Sequence, residues 1–216
     1  LPIHCWVVGH PEGAVMIDAG ETAAINDRGY AACDAATGFV YENLLRFAVR
    51  PEDEAAAQLR AIGVDPERIG RILLTHGHSD HMGGLYAFPA ARVDAPAAGC
   101  PDGEGVLTCR FDTRPFLSVL RAGERASITR DGALQAIGMP GHSRGHRGAL
   151  LRTSRRDVLF AGDAAFDIGQ IKTGEIGAVA TDRPAAARTL DAIRALASAR
   201  PTVVLPTHDP PALDGP

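Results

Sequence analysis

The run His76-Gly77-His78-Ser79-Asp80-His81 constrains this chain more than any other stretch, because it sets four potential metal ligands directly after the apolar segment Ile69 to Leu74. Side chains two apart in an extended segment point the same way, so His76 and His78 can grip one ion together. Asp80 and His81 follow where the chain turns and must face elsewhere. One short motif thereby offers ligands to two adjacent metals. Imidazole nitrogen with carboxylate oxygen suits zinc foremost, with iron, manganese or cobalt as alternatives, better than calcium or magnesium, which prefer all-oxygen shells. A single histidine here would read as a helix cap or a solvated loop residue. Four ligands in one run do not.

The 216 residues suffice for one domain, 1–216, with a substantial core, and fall short of two comfortable ones. A 45% hydrophobic and 22% charged composition is that of a soluble globular protein, and no apolar run approaches the roughly 18 to 20 residues of a spanning helix. The net charge of −4, with 22 scattered basic residues of which only Lys172 is a lysine, gives no electrostatic ground for nucleic acid or an anionic membrane as partner. We expect a small-molecule substrate, and a monomer or homodimer. Cys5, Cys33, Cys100 and Cys109 show no CxxC spacing, which fits reduced thiols in a cytoplasmic protein. A bridge between Cys100 and Cys109 is the alternative for an exported form. The chain opens without a charged n-region, so no signal peptide is expected.

Along the chain, Ile3 to Val8 and Ala14 to Ile17 form an opening hairpin around His10-Pro11-Glu12-Gly13. Residues 21–50 show no sustained period. Pro51 to Ile62 has helical spacing and stops at Gly63, and Met82 to Phe88 suits a short helix. Ile69 to Leu74, Ala91 to Ala95, Ala133 to Met139, Ala149 to Thr153, Asp157 to Ala161 and Thr202 to Leu205 read as strands, while Phe116 to Leu120 is ambiguous. Pro184 to Ala199 carries an apolar face at helical spacing. Sheets packed together with helices outside fit this order. Each candidate ligand follows a strand, where a loop can aim a side chain from a fixed backbone.

At Asp18-Ala19-Gly20, His76-x-His78-x-Asp80-His81, Pro140-Gly141-His142, Gly162-Asp163-Ala164 and Thr207-His208-Asp209, in that order, the chain resembles the metallo-β-lactamase superfamily from its opening hairpin to His208. The resemblance implies an α/β fold, a four-layer αββα sandwich of two mixed β-sheets flanked by helices. It places His76, His78 and His142 on one divalent metal, Asp80, His81 and His208 on a second, and Asp163 between them. Asp18 and His146 would support these ligands, His146 being also an alternative to His142. His4 and His10 have no partner pattern and are expected to be structural or exposed.

Such a centre implies a metal-dependent hydrolase using a metal-bridging hydroxide, with zinc lowering the pKa of bound water from about 15.7 to near 7. Asp80 is the candidate proton shuttle. Because Asp163 and His81 stand where the commonest β-lactamases differ, the set is similar instead to N-acyl-homoserine lactonases, hydroxyacylglutathione hydrolases, organophosphate hydrolases and ribonuclease Z relatives. The lactonase branch is nearest, implying lactone opening or ester cleavage and a quorum-quenching role. Phosphoester, phosphotriester or glutathione-thioester hydrolysis is the alternative, and a non-catalytic metal sensor a further one. Lactonases of that branch carry a tyrosine three residues after the bridging aspartate; here Phe166 keeps the ring and loses the donor. Phe166, Tyr30, Phe39, Tyr41 and Phe47 are the expected substrate wall, and Arg144 and Arg147 could meet an anionic group.

Overall fold

The computed structural model describes residues 1–96, 107, 116–117 and 120–210. Cys100, Cys109 and part of the ambiguous stretch 116–120 lie outside them. Among the described residues, ten strands form two five-stranded sheets. The first sheet runs in the order β1 (Trp6–Val8), β2 (Ala14–Ile17), β3 (Ile69–Leu73), β4 (Arg92–Pro96), β5 (Phe116–Leu117). The second runs β10 (Thr202–Pro206), β9 (Asp157–Gly162), β8 (Arg147–Arg152), β7 (Leu134–Gly138), β6 (Arg125–Ser127). Both are mixed: β1 pairs antiparallel with β2 while β2, β3 and β4 run parallel, and β9 pairs parallel with β10 but antiparallel with β8.

Alternation along each strand decides the layering. Val15, Ile17 and Leu73 point to one side and meet Leu134, Ala136, Ala149 and Phe160 of the other sheet. Their neighbours Met16, Ile72 and Leu74 point to the opposite side and pack on Ala56 and Leu59 of α2 (Ala55–Ala61). In the second sheet Ile137, Leu150 and Leu159 face out onto Leu190 and Ile193 of α5 (Arg183–Ala199) and Ile171 of α4 (Ile168–Thr173). Strands buried on both faces thus give three apolar layers between four structural ones, the expected αββα sandwich. Each buried Leu or Ile contributes about 1.5–3 kcal/mol. No described helix is long and apolar enough to cross a membrane.

Several elements depart from the sequence reading. Residues 21–50 hold a 3-10 turn at Ala23–Asn26 and the helix α1 (Ala35–Asn43), started by Asp34, whose carboxylate accepts from Ala36 and Thr37 N–H. The expected helix from Pro51 to Ile62 is broken: Pro51–Asp53 is a 3-10 turn, Glu54 is extended, and α2 starts at Ala55. Glu54 leaves the helix because its Oε1 accepts from the Thr22 hydroxyl and Ala23 N–H, ending the stray donors of the opposing turn. The motif itself opens α3 (Ser79–Met82), followed by a 3-10 turn at Gly83–Ala87. Cys5 carries a free thiol, but Cys33 is disulfide-bonded, which corrects the expectation of four reduced cysteines.

Candidate metal centre

Strands β7, β9 and β10 run in the same direction and deliver His142, Asp163 and His208 from their C-terminal ends, while β2 and the parallel β3 deliver Asp18 and His76 to the same end of the sandwich. The sheets therefore bring together residues up to 190 positions apart, Asp18 and His208, without any long loop having to reach. His76 Nε2, His78 Nδ1 and His142 Nε2 form a triangle with sides of 2.9, 3.0 and 3.1 Å. Three ligands about 2.0–2.1 Å from one zinc would sit about 3.3 Å apart, close to that triangle. Beside it, His81 Nε2 lies 3.7 Å and His208 Nε2 3.5 Å from Asp80 Oδ2.

Asp163 joins the two sets. Its Oδ2 is 3.6 Å from His142 Nε2 and 3.2 Å from His208 Nε2, and its Oδ1 is 3.1 Å from His81 Nε2. Yet His81 Nε2 and Asp163 Oδ1 are buried with no hydrogen-bond partner. Two buried polar atoms facing each other without bonding is costly unless a cation completes them. The residues thus fit a pair of metal ions: His76, His78 and His142 around one, Asp80, His81 and His208 around the other, Asp163 between. Nitrogen and oxygen donors without sulfur suit zinc and its neighbours in the first transition series.

Hydrogen bonds on the far side of the His76, His81 and His208 rings fix which nitrogen faces inward. Asp18 accepts from His81 Nδ1–H at 2.8 Å, from Thr75 N–H at 2.7 Å and from the Thr75 hydroxyl at 2.9 Å. Having donated to Asp18, the Thr75 hydroxyl accepts from His76 Nδ1–H at 3.0 Å, leaving Nε2 for a metal. Asp18 holds this post at φ 58°, the only non-glycine residue with positive φ among those described, which is backbone strain kept at a site that uses it. His208 Nδ1–H donates to the Pro2 carbonyl at 2.7 Å. His146 is set apart from the ligands: its Nδ1–H donates to the Met139 carbonyl at 3.1 Å and its Nε2 accepts from Asp163 N–H at 3.0 Å. It braces the backbone that carries Asp163. Gly162, at φ 55°, is needed for that approach, since a Cβ there would lie 2.8 Å from His146 Nε2 and 2.9 Å from Thr75.

Electrostatics divide the site in two. Burial, aided by the neighbouring imidazoles, holds His76 well below the usual histidine range, and burial takes His142 down to about 2. Burial also lowers His146, to about 3. On His81 burial works the same way, but the Asp163, Asp80 and Asp18 carboxylates outweigh it and lift the ring well above its usual value. His208 is raised for the same reason, Asp163 overcoming burial. Burial would raise Asp163, yet His81, His208 and His76 keep it well below the usual carboxylate range. A metal requires neutral imidazoles and an ionised shared carboxylate, so His76, His142 and Asp163 already stand in the needed states, while His81 and His208 must give up protons.

The aromatic residues scatter. Phe166 alone lies against ligands, its ring edge-on to His208 at 4.9 Å and tilted to His142 at 5.9 Å. Its backbone is held by Gln170, whose Oε1 accepts from Phe166 N–H at 2.8 Å. Tyr30, Tyr41 and Phe47 pack with Ile25, Ala31 and Leu107 in a satellite core. Tyr41 stacks on Phe47 at 5.7 Å, and the two help line a cavity of about 300 Å³ that none of the metal-site residues lines. Phe39 is 60% exposed. Arg147 is wholly buried, with Asp94 acting on it, so it is not placed to meet an anionic substrate. His4 and His10 are tied into the fold, His4 donating to the Asp209 carbonyl and His10 paired with Asp131 at 3.1 Å. Sequence reading gave no role to Thr75 or Gln170. Thr75 had a usable signal, a hydroxyl adjoining His76 at the strand end.

Residues 1–208 match the model of the metallo-beta-lactamase superfamily. The chain is 30% identical to the N-acyl homoserine lactonase AttM of Azorhizobium caulinodans and 28% identical to that of Rhizobium johnstonii, in each case over 98% of this chain and 83% of the relative. Among solved structures it resembles an N-acyl homoserine lactone hydrolase holding the product N-hexanoyl-L-homoserine at its catalytic metal center, with a TM-score of 0.79 at 19% identity over 99% of this chain and 84% of that one. Likeness to the dizinc quorum-quenching lactonase AidC gives a TM-score of 0.66 at 17% identity over 96% and 72%. Sandwich, strand-end ligands and near-complete sequence match agree, and the chain belongs to the metallo-beta-lactamase superfamily of hydrolases.

Proposed function

We propose that this protein opens N-acyl-homoserine lactones or closely related carboxylic esters on a pair of zinc ions. The observation that carries the reading is Asp163, a buried carboxylate within 3.6 Å of ring nitrogens from both ligand sets. Near-full-length similarity to proteins named N-acyl homoserine lactonase supports the substrate class. Two cations at this position supply Lewis acidity for the carbonyl oxygen and a water of lowered pKa.

The chain's own residues do the rest. Asp18, Thr75 and the Pro2 carbonyl hold His81, His76 and His208 with the correct nitrogen inward. Ring opening adds water across the ester, the hydroxyl to the carbonyl carbon and a proton to the ring oxygen. Asp80, whose side chain is 24% exposed while those of His81, Asp163 and His208 are nearly closed off, is the carboxylate placed to carry that proton. Phe166 and the recess formed with Ile176, Ala180 and Leu190 beside His142 present an apolar side to the substrate.

A hydrolysis panel on the zinc-loaded protein, covering acyl-homoserine lactones, aryl esters, glutathione thioesters and phosphotriesters, tests this reading. Lactones are expected to be the best substrates, with Asp163→Asn as the inactive control. Turnover of phosphotriesters alone, abolished in the control, would transfer the assignment to phosphorus chemistry.

A further inference from the structure

Ser79 sits between the ligands His78 and Asp80 and is 2% exposed. Its Oγ accepts from the Tyr41 hydroxyl at 3.1 Å. Against Gly83, at the end of the same helical turn, lies Glu21, 4% exposed, with its Oε1 accepting from Thr22 N–H at 2.9 Å and its Oε2 buried without a hydrogen-bond partner. Burial raises the Glu21 carboxyl to about 7, while the Ser79 hydroxyl favours its charged form. Burial likewise raises the Tyr41 phenol, to about 12, so it remains a donor at neutral pH. A Cβ on Gly83 would overlap Glu21 Oε1 and crowd Thr22 N, so the chain after α3 leaves room for this carboxyl.

An enclosed carboxyl with an orphaned oxygen is expensive to fold around. Its neighbours suggest what that expense supports. Ser79 belongs to the same helical turn as Asp80 and His81, so whatever holds its side chain sets the direction of theirs.

We propose that Tyr41, Ser79 and Glu21 form a buried polar strut that positions Asp80 and His81 for the second metal. Tyr41 and Glu21 are positioning residues in this scheme, and neither touches the reacting atoms. Tyr41 leaves the substrate wall and becomes part of the site's frame. The inference rests on the two-metal reading of the site and is independent of the substrate.

Zinc titration of the metal-free protein against a chromogenic chelator tests it, using wild type, Tyr41→Phe, which keeps the ring stacked on Phe47, and Glu21→Gln, which keeps the volume. In both variants one of the two zinc equivalents should weaken by about tenfold. The other should shift by less than about twofold. The weakened equivalent should be the one missing in a His81→Ala control. Equal weakening of both equivalents would mean general loosening of the fold, and unchanged affinities with a raised KM for the lactone would make Tyr41 a substrate contact; either overturns the strut. Wild type that binds fewer than two equivalents would instead bring down the two-metal reading, and the strut with it. Should Tyr41→Phe fail to fold, Ser79→Ala answers the same question.

Discussion

The two halves of the centre stand in opposite protonation states before a cation arrives, because their electrostatic surroundings differ. His76 and His142 are kept neutral by burial among other imidazoles. His81 and His208, equally enclosed, are surrounded by Asp18, Asp80 and Asp163, which favour their charged forms. Histidine burial alone thus decides little; the count of carboxylates around each ring decides. Without metal the first half resists protons and the second attracts them, so a cation displaces little from the first and must displace protons from the second. Asp163 is the one group that both halves share.

Removing that shared group should do most damage. Asp163→Asn keeps shape but gives up the charge facing His81 and His208, and it should lower kcat/KM roughly 10³-fold or more. Metal analysis should find fewer than two tight equivalents per chain. Near-normal activity would mean that each half works with its own ligands and that no bridge exists.

Asp18→Asn acts directly on one half and reaches the other only through Thr75. The amide replaces an ionised acceptor of His81 Nδ1–H, so affinity for one metal should fall by about 10–100-fold while the His76, His78 and His142 position keeps its own. Equal loss at both positions would point to Thr75, which Asp18 also holds and which touches His76, as the dominant route.

How much of this could be read from residues alone follows from what each part requires. Metal chemistry demands particular side chains at strand ends, so the run at His76 to His81 and the lone His142, Asp163 and His208 were visible in order, and the sheets bring them together. The strands were visible because alternation such as Val15, Met16, Ile17 serves two buried faces. The helix α1 was not, because only Gly38 and Tyr41 of its nine residues are buried and its remaining apolar side chains leave no inward stripe. Glu54 broke a good helical pattern for a tertiary reason, the capping of Thr22 and Ala23. Supports such as the Pro2 and Met139 carbonyls are backbone atoms, which any residue supplies, so no spelling of the sequence marks them.

The metal-free protein offers a test of the electrostatic contrast by pH. An unfolded chain protonates His142 and His146 near pH 6.5, whereas the folded protein holds them neutral down to about 2 and about 3. Between those limits the unfolded state binds more protons, so stability falls with falling pH, by up to about 1.4 kcal/mol per pH unit for each ring. His81 and His208 act in the other sense: with raised values, their contribution is complete below about pH 6.5 and is lost as pH rises through their folded values. The urea midpoint should therefore peak near pH 6.5 and drop on both sides, and His146→Gln should shallow the acid limb alone. A midpoint level from pH 6.5 to 4 would show that the buried rings accept protons in the fold.

The smallest expected effect concerns the one aromatic side chain that touches both halves. Phe166 meets His142 of one and His208 of the other, and where the lactonase resemblance leads one to expect a phenol it offers only a ring edge. Phe166→Tyr adds an oxygen at the rim of the site with the backbone still held by Gln170. If carbonyl polarisation is short of a donor, the variant should raise kcat for lactones by about tenfold, with little change for phosphotriesters, because the new hydroxyl helps where charge develops on the carbonyl oxygen. The split matters more than the size. A gain confined to KM would place the hydroxyl against the acyl portion, and a loss on every substrate would mean that the apolar ring, by keeping water off His208 and His142, is the feature this chain has selected.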